Sequence, residues 1–217
     1  MPEPKLRVPS ADQLQFAADR FDRDWGAVDE ALYGVCARSP GHGDLRTVTA
    51  KIALVGRAYS AGLERCVTPP PGVQAITVIA DHVHSHGGEV DQLIAELRKD
   101  REPLDADAMS RIVDCHGRFT ALLGATPGCH RMPRSFAAKY LHFHHTAVPI
   151  YDSYAATRLG KVVRWDSGDI PVSRPHGADQ EYWAFCVRLF RLYHACRQRN
   201  LSVTIKGLDA YLWQVPL

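Results

Sequence analysis

Apolar positions recur along most of the chain at intervals of three and four, the spacing of a helix that buries one face. Leu14, Ala17, Phe21, Trp25, Val28, Leu32 and Cys36 form one such stripe and predict a helix over 11–38, with Ser10 placed to cap it. The polar, glycine-bearing run 39–44 ends it. Ile52, Val55, Tyr59 and Leu63 predict a second helix over roughly 45–65. Three successive prolines then force an extended connector over 66–72, since proline lacks the amide proton and fixes its own φ. Ile76, Ile79 and Val83 mark a third helix, stopped near Gly87 and Gly88. Val90, Ile94 and Leu97 mark a fourth, and Met109 through Leu123 a fifth. A glycine- and proline-bearing turn occupies 124–133. Ser135 to about His144 is the sixth helix. Pro149 interrupts the chain, and Asp152 stands where the next helix would be capped. Residues 161–178 are polar and irregular. Trp183, Cys186, Val187, Phe190 and Tyr193 predict a strong helix, and the tail a last short one. Only 161–163 and 203–205 have the character of strands. The expectation is an all-α protein of eight or nine helices, one domain over 1–217, with two possible lobes formed by 1–70 plus 178–217 and by 73–177.

Composition agrees with a folded globular chain and adds limits. Of 217 residues, 46% are apolar and 23% charged, enough apolar surface to offset the entropy of ordering the chain. No run approaches the roughly 18–20 apolar residues that a membrane span requires, so no membrane partner is expected. The first residues lack the apolar core of a signal peptide. The cysteines, at 36, 66, 115, 129, 186 and 196, form no CxxC pair, and most fall on helical stripes as reduced core thiols. A cytoplasmic location follows as the default. Net charge is +2, but it is unevenly spread. Residues 1–110 carry 12 basic against 17 acidic side chains, and 111–217 carry 14 against 7. An acidic front and a basic back fit a polyanion partner as well as ordinary surface drift.

The chain has no GxSxG, GxxxxGK[ST], HExxH or GxGxxG string, which argues against serine hydrolases, P-loop enzymes and Rossmann dehydrogenases. Two histidine clusters occur. In one, His82, His84 and His86 precede Glu89; the other is His142, His144 and His145. On a helix, His82 and His86 share a face, as do His142 and His145, so a metal-dependent hydrolase is one possibility. Caps and core positions satisfied by backbone hydrogen bonds are the other. No cofactor or metal is expected on balance.

A third constellation is more specific. Thr126-Pro127-Gly128-Cys129-His130 forms a Pro-Gly turn, a helix follows over Ser135–His144, and Val148-Pro149-Ile150-Tyr151-Asp152 leads into the next helix. Over about residues 126–157 this resembles the helix-hairpin-helix DNA glycosylase superfamily, most of all the small bacterial proteins of 8-oxoguanine-glycosylase fold. Asp209-Ala210-Tyr211-Leu212-Trp213 and Lys51–Tyr59 are similar to parts of the same pattern. The resemblance implies a helix-hairpin-helix glycosylase-like fold, two helical lobes around a cleft, and double-stranded DNA with a damaged or modified base as partner. It implies base excision in DNA repair with Asp152 as the catalytic carboxylate. Gly128, His130, Arg131, Arg134, Lys139 and Arg158 would contact nucleic acid, with Lys161 and Arg164 near them. Tyr151, Tyr154 and Trp213 would wall the base pocket, with Tyr140 and Trp165 as further aromatics. Two departures stand out. His130 replaces the second hairpin glycine, and no lysine falls among Arg131-Met132-Pro133-Arg134, where the family carries one. Lys139 lies about a turn later. The implied chemistry is therefore monofunctional, a carboxylate stabilising a cation-like sugar without a Schiff base. A non-catalytic protein recognising a nucleotide or modified base, as in phage defence, is the alternative.

Overall fold

The computed structural model describes residues 6–164 and 172–215. These form ten α-helices and two isolated antiparallel bridges, Leu6 with Val163 and Val67 with Cys129. The helices are α1 (Ala11–Phe21), α2 (Ala27–Arg38), α3 (Leu45–Ala58), α4 (Ala75–Ser85), α5 (Gly87–Leu97), α6 (Ala106–Gly124), α7 (Arg134–His144), α8 (Ser153–Val162), α9 (Gln180–Gln198) and α10 (Ile205–Gln214). No helix among the described residues is long and apolar enough to cross a membrane.

Side-chain caps start most of them. Ser10 and Gln13 bond reciprocally at the head of α1, and Asp44, Asp105, Asp152, Asp179 and Thr204 each accept an amide proton of the first turn behind them. The Thr204 cap explains why 203–205, strand-like in composition, opens a helix. Of 161–163, the first two residues end α8, and Val163 donates to Leu159 O and bridges Leu6.

Two elements depart from the predicted periodicity. The segment 11–38 is one helical run, but Asp22–Gly26 forms a π turn within it. A π turn adds a residue per turn and so rotates the helix beyond it about its axis. Trp25 and Val28, expected on the buried stripe, are 39% and 37% exposed, while Asp29 is buried in their stead. The helix predicted over 45–65 ends at Ala58, because Ser60 and Gly62 turn the backbone left-handed before a 3₁₀ turn at Leu63–Cys66.

A single apolar cluster draws on all ten helices. α7 runs through its middle: every residue from Phe136 to His144 is buried, and the helix packs on α2, α3 and α6. α1 lies along α10, α8 bridges α9 and α10, and α4 and α5 lean on α3 and α6. The hairpin between α6 and α7 is bound to the connector at 66–68 by Thr68 N–H to Gly128 O (3.0 Å) and His130 N–H to Cys66 O (3.0 Å). All six cysteines are free thiols, and all but Cys129 are buried.

Candidate active site

Where α7 passes the start of α8, the end of α3 and the face of α10, a cavity of about 200 Å³ opens to solvent. Phe21, Trp25, Ala58, Tyr59 and Ser60 line one side, Trp213 and Gln214 another, and Lys139, Asp152 and Asp209 supply the charge. Each charged group is held by its own element. Asp152 adopts extended backbone after Pro149, and its Oδ1 accepts the Ala155 amide at 2.7 Å, so the cap fixes the carboxylate. Its Oδ2 stands 3.8 Å from Lys139 Nζ. Lys139 is 4% exposed and donates to the backbone carbonyl of Tyr59 at 3.1 Å, with its ammonium 5.7 Å from that ring's centre.

Tyr59 joins this lysine to a second charged group. Its hydroxyl donates to Asp29 Oδ1, and Asp29 Oδ2 is 2.8 Å from Lys206 Nζ. Lys206 lies 4.2 Å over the ring of Phe21 and 3.8 Å from Asp209 Oδ2. Asp209 Oδ1 is buried without a hydrogen-bond partner among the described residues. Burial lowers the pKa of Lys139, and the negative charges of Asp152 and Asp209 oppose the shift. Burial raises Asp209 to about 6, against the pull of Lys206 and with the push of Asp152. The site thus holds an amine that is easier to deprotonate than a surface lysine and a carboxyl group that titrates near neutrality. A wider groove of about 740 Å³ lies between α1, α2 and the start of α10 and shares Phe21 with the cavity, but it lacks Lys139 and Asp152.

The residues singled out from sequence divide into three groups. Asp152, Lys139 and Trp213 meet in the cavity, and Tyr154 packs on Trp213 at its rim with ring centres 4.6 Å apart. Lys139, expected outside among phosphate-contacting cations, faces the interior. Arg158 turns back to the carbonyl of Val215 and the hydroxyl of Tyr154. A second group lies at the head of α9. Arg134 pairs with Asp179 (2.5 Å) and Glu181 (2.7 Å), and Tyr151 donates to Glu181 and packs edge-on against Phe185, away from the cavity. The hairpin is the third. His130 and Arg131 are exposed, while Gly128, at φ +77°, backs onto Thr68 so closely that a Cβ would stand 2.3 Å from its carbonyl oxygen. Tyr140 is fully buried, its hydroxyl bonded to His42, and Trp165 lies outside the described residues.

Of the clustered histidines, His82, His86 and His142 are held by structural hydrogen bonds, whereas both ring nitrogens of buried His144 lack a hydrogen-bond partner among the described residues. His82 donates to Leu122 O, His86 to His82 O, and His142 bonds Val148 O and Tyr33. Among the described residues no three His, Cys, Asp or Glu side chains converge as a metal site would require.

Sequence reasoning missed Phe21, Trp25, Asp29 and Lys206. Tyr59 and Asp209 were inside segments noted for their resemblance but without a role. The one local signal was the i, i+4 spacing of Asp209 and Trp213, which puts a carboxylate and an indole on one helix face. No family model, no curated protein and no solved structure matches the chain.

Proposed function

We propose that this protein excises a base from DNA, as the helix-hairpin-helix glycosylases it resembles do, working in the cytoplasm on a damaged or modified nucleotide. The observation that carries the reading is the buried Lys139 ammonium 3.8 Å from Asp152 on the wall of an aromatic-lined cavity. A base displaced from its stack needs aromatic faces and a confined space, and Trp25, Tyr59 and Trp213 offer both. The cavity also joins the two proposed lobes. Phe21–Ser60 and Asp209–Gln214 belong to one, Lys139 and Asp152 to the other.

The monofunctional mechanism expected from sequence rested on the absence of a lysine at 131–134. Lys139 reaches the carboxylate from the next turn, so a covalent route is the better reading. Lys139 sheds a proton, and its amine attacks C1′ of the sugar. The glycosidic bond breaks with its electron pair moving to the base nitrogen, which takes up a proton as the base leaves. Asp152 stabilises positive charge on the sugar as the bond lengthens. The C1′–O4′ bond then breaks with its electron pair moving to O4′, which takes up the proton lost by the attacking nitrogen, and a protonated imine forms between Nζ and C1′.

The test is reductive trapping. The protein is incubated with borohydride and oligonucleotides carrying 8-oxoguanine, alkylated bases or an abasic site. A covalent protein–DNA band is expected with at least one substrate, lost in Lys139→Gln and reduced roughly 10²-fold in Asp152→Asn. Base release without a trapped band would return the mechanism to the monofunctional form. Binding with neither release nor trapping, from correctly folded protein, would leave a recognition protein and overturn excision.

A further inference from the structure

We propose that the strand entering this site is single-stranded, held by aromatic stacking at the cavity mouth rather than by a grip on a duplex backbone; the inference rests on the excision reading above and specifies its substrate.

Two sets of observations support it. The first concerns groups that would grip a duplex. Duplex-binding hairpins present free backbone amides and cations to phosphates. Here the amide of His130 is spent on Cys66 O and that of Cys129 on Thr126 O. Gly128 faces Thr68, and the Arg134 guanidinium is neutralised by Asp179 and Glu181. Arg158 is bonded to Val215 O and Tyr154, and the hairpin exposes one arginine, Arg131. The run leading to Trp25 carries Asp19, Asp22 and Asp24, with Arg20 and Arg23 both paired to Asp24. A second strand's phosphates would meet carboxylates on that side.

The second set concerns the mouth itself. Trp25 is 39% exposed, and Trp213 and Tyr154 are each 43% exposed. Trp25 and Trp213 form cavity walls, and Tyr154 extends the Trp213 face outward as a tilted stack. Large aromatics left this open at the rim of a lysine-bearing cavity suit unpaired bases, whose π faces are free only when no partner strand stacks them in a helix. With its neighbours stacked on Tyr154 and Trp213, the target nucleotide enters the cavity without the cost of unpairing.

The experiment measures fluorescence anisotropy of a labelled 12-mer containing one tetrahydrofuran abasic analogue, alone and annealed to its complement. The single strand is expected to bind at least tenfold more tightly. Tyr154→Ala and Trp213→Ala should each weaken it by fivefold or more, with Trp213→Phe restoring most of the loss. Because both side chains are half exposed, their removal leaves the core intact. Equal or tighter binding of the duplex, or unchanged binding by both alanine variants, overturns the proposal, as does failure to bind either form. Trapping by Lys139 that is equally efficient on duplex would overturn the single-strand inference while excision stands. Single-strand binding without trapping would do the reverse.

Discussion

His116 and His142 are buried without any exposure, and burial depresses them to about 4 and about 3. Each keeps one neutral tautomer. His116 donates Nε2–H to Arg134 O while its ring stacks on Tyr182, and His142 donates Nδ1–H to Val148 O and accepts from Tyr33. In the unfolded chain these imidazoles take up protons near pH 6.5, whereas the folded ones resist until pH 4 or below. The stability they contribute is therefore complete above pH 6.5 and is lost as pH falls through their folded values. Asp209 has the opposite sign. Raised to about 6 in the fold, it favours the native state below the ordinary carboxyl range, and that contribution disappears as pH rises through 6. Thermal unfolding between pH 4 and 7 should show a net loss on the acid side. His116→Gln should shrink the loss by up to about 3 kcal/mol, and Asp209→Asn should deepen it by a similar amount. Identical pH profiles for all three proteins would refute this assignment.

Helix ends do most to aim the candidate site. Asp152 has two jobs that can be separated: Oδ1 caps α8, and Oδ2 faces Lys139. Asparagine caps as well as aspartate, and alanine does not cap at all. Both Asp152→Ala and Asp152→Asn remove the charge facing Lys139 and should reduce trapping, but Asp152→Ala also loses the cap and should cost about 1 kcal/mol more than Asp152→Asn, a further fall of roughly 2–4 °C in Tm. An equal fall in both variants would mean that the cap contributes nothing. The hairpin depends on Gly128, whose left-handed backbone and contact with Thr68 exclude a side chain. Both caps and turns were visible in the sequence, because an aspartate ahead of a helical stripe and a Pro-Gly pair have local causes. The π turn at Asp22–Gly26 was not. No residue in that stretch forbids an ordinary helix, and its rotation is settled by the partners Trp25 and Asp29 meet just past α3 and on α10: the Trp25 ring lies tilted against Tyr59, and Asp29 binds Tyr59 and Lys206.

At the scale of the whole chain, the site is a product of packing between distant segments. Lys139 and Tyr59 are 80 residues apart and share a hydrogen bond. Asp209 joins them only because α10 lies along α1. Leu208 is fully buried next to Asp209 and does not line the cavity. Leu208→Ala should cost about 2–5 kcal/mol in urea unfolding. It should also slow trapping by Lys139, since α10 would no longer be seated firmly enough to hold Asp209 and Trp213 against α7. Loss of stability with undiminished trapping would show that α10 is dispensable to the chemistry.

By itself the sequence determined the all-α class, nearly every helix, the Ser10 cap and the position of Asp152 ahead of α8, because these follow from local periodicity and side-chain to backbone hydrogen bonding. The tertiary structure decided which charges meet. Lys139 appeared from spacing alone to be an outward cation a turn too late. Burial of both flanks of α7 in one core turned it inward, next to Asp152 and beneath Tyr59. The excess of positive charge after residue 110 likewise gave no measure of what each arginine does. Arg134 is consumed by Asp179 and Glu181, carboxylates 45 and 47 residues away. Pairings of that kind depend on where whole helices dock, and no stretch of sequence short enough to show a pattern contains both partners.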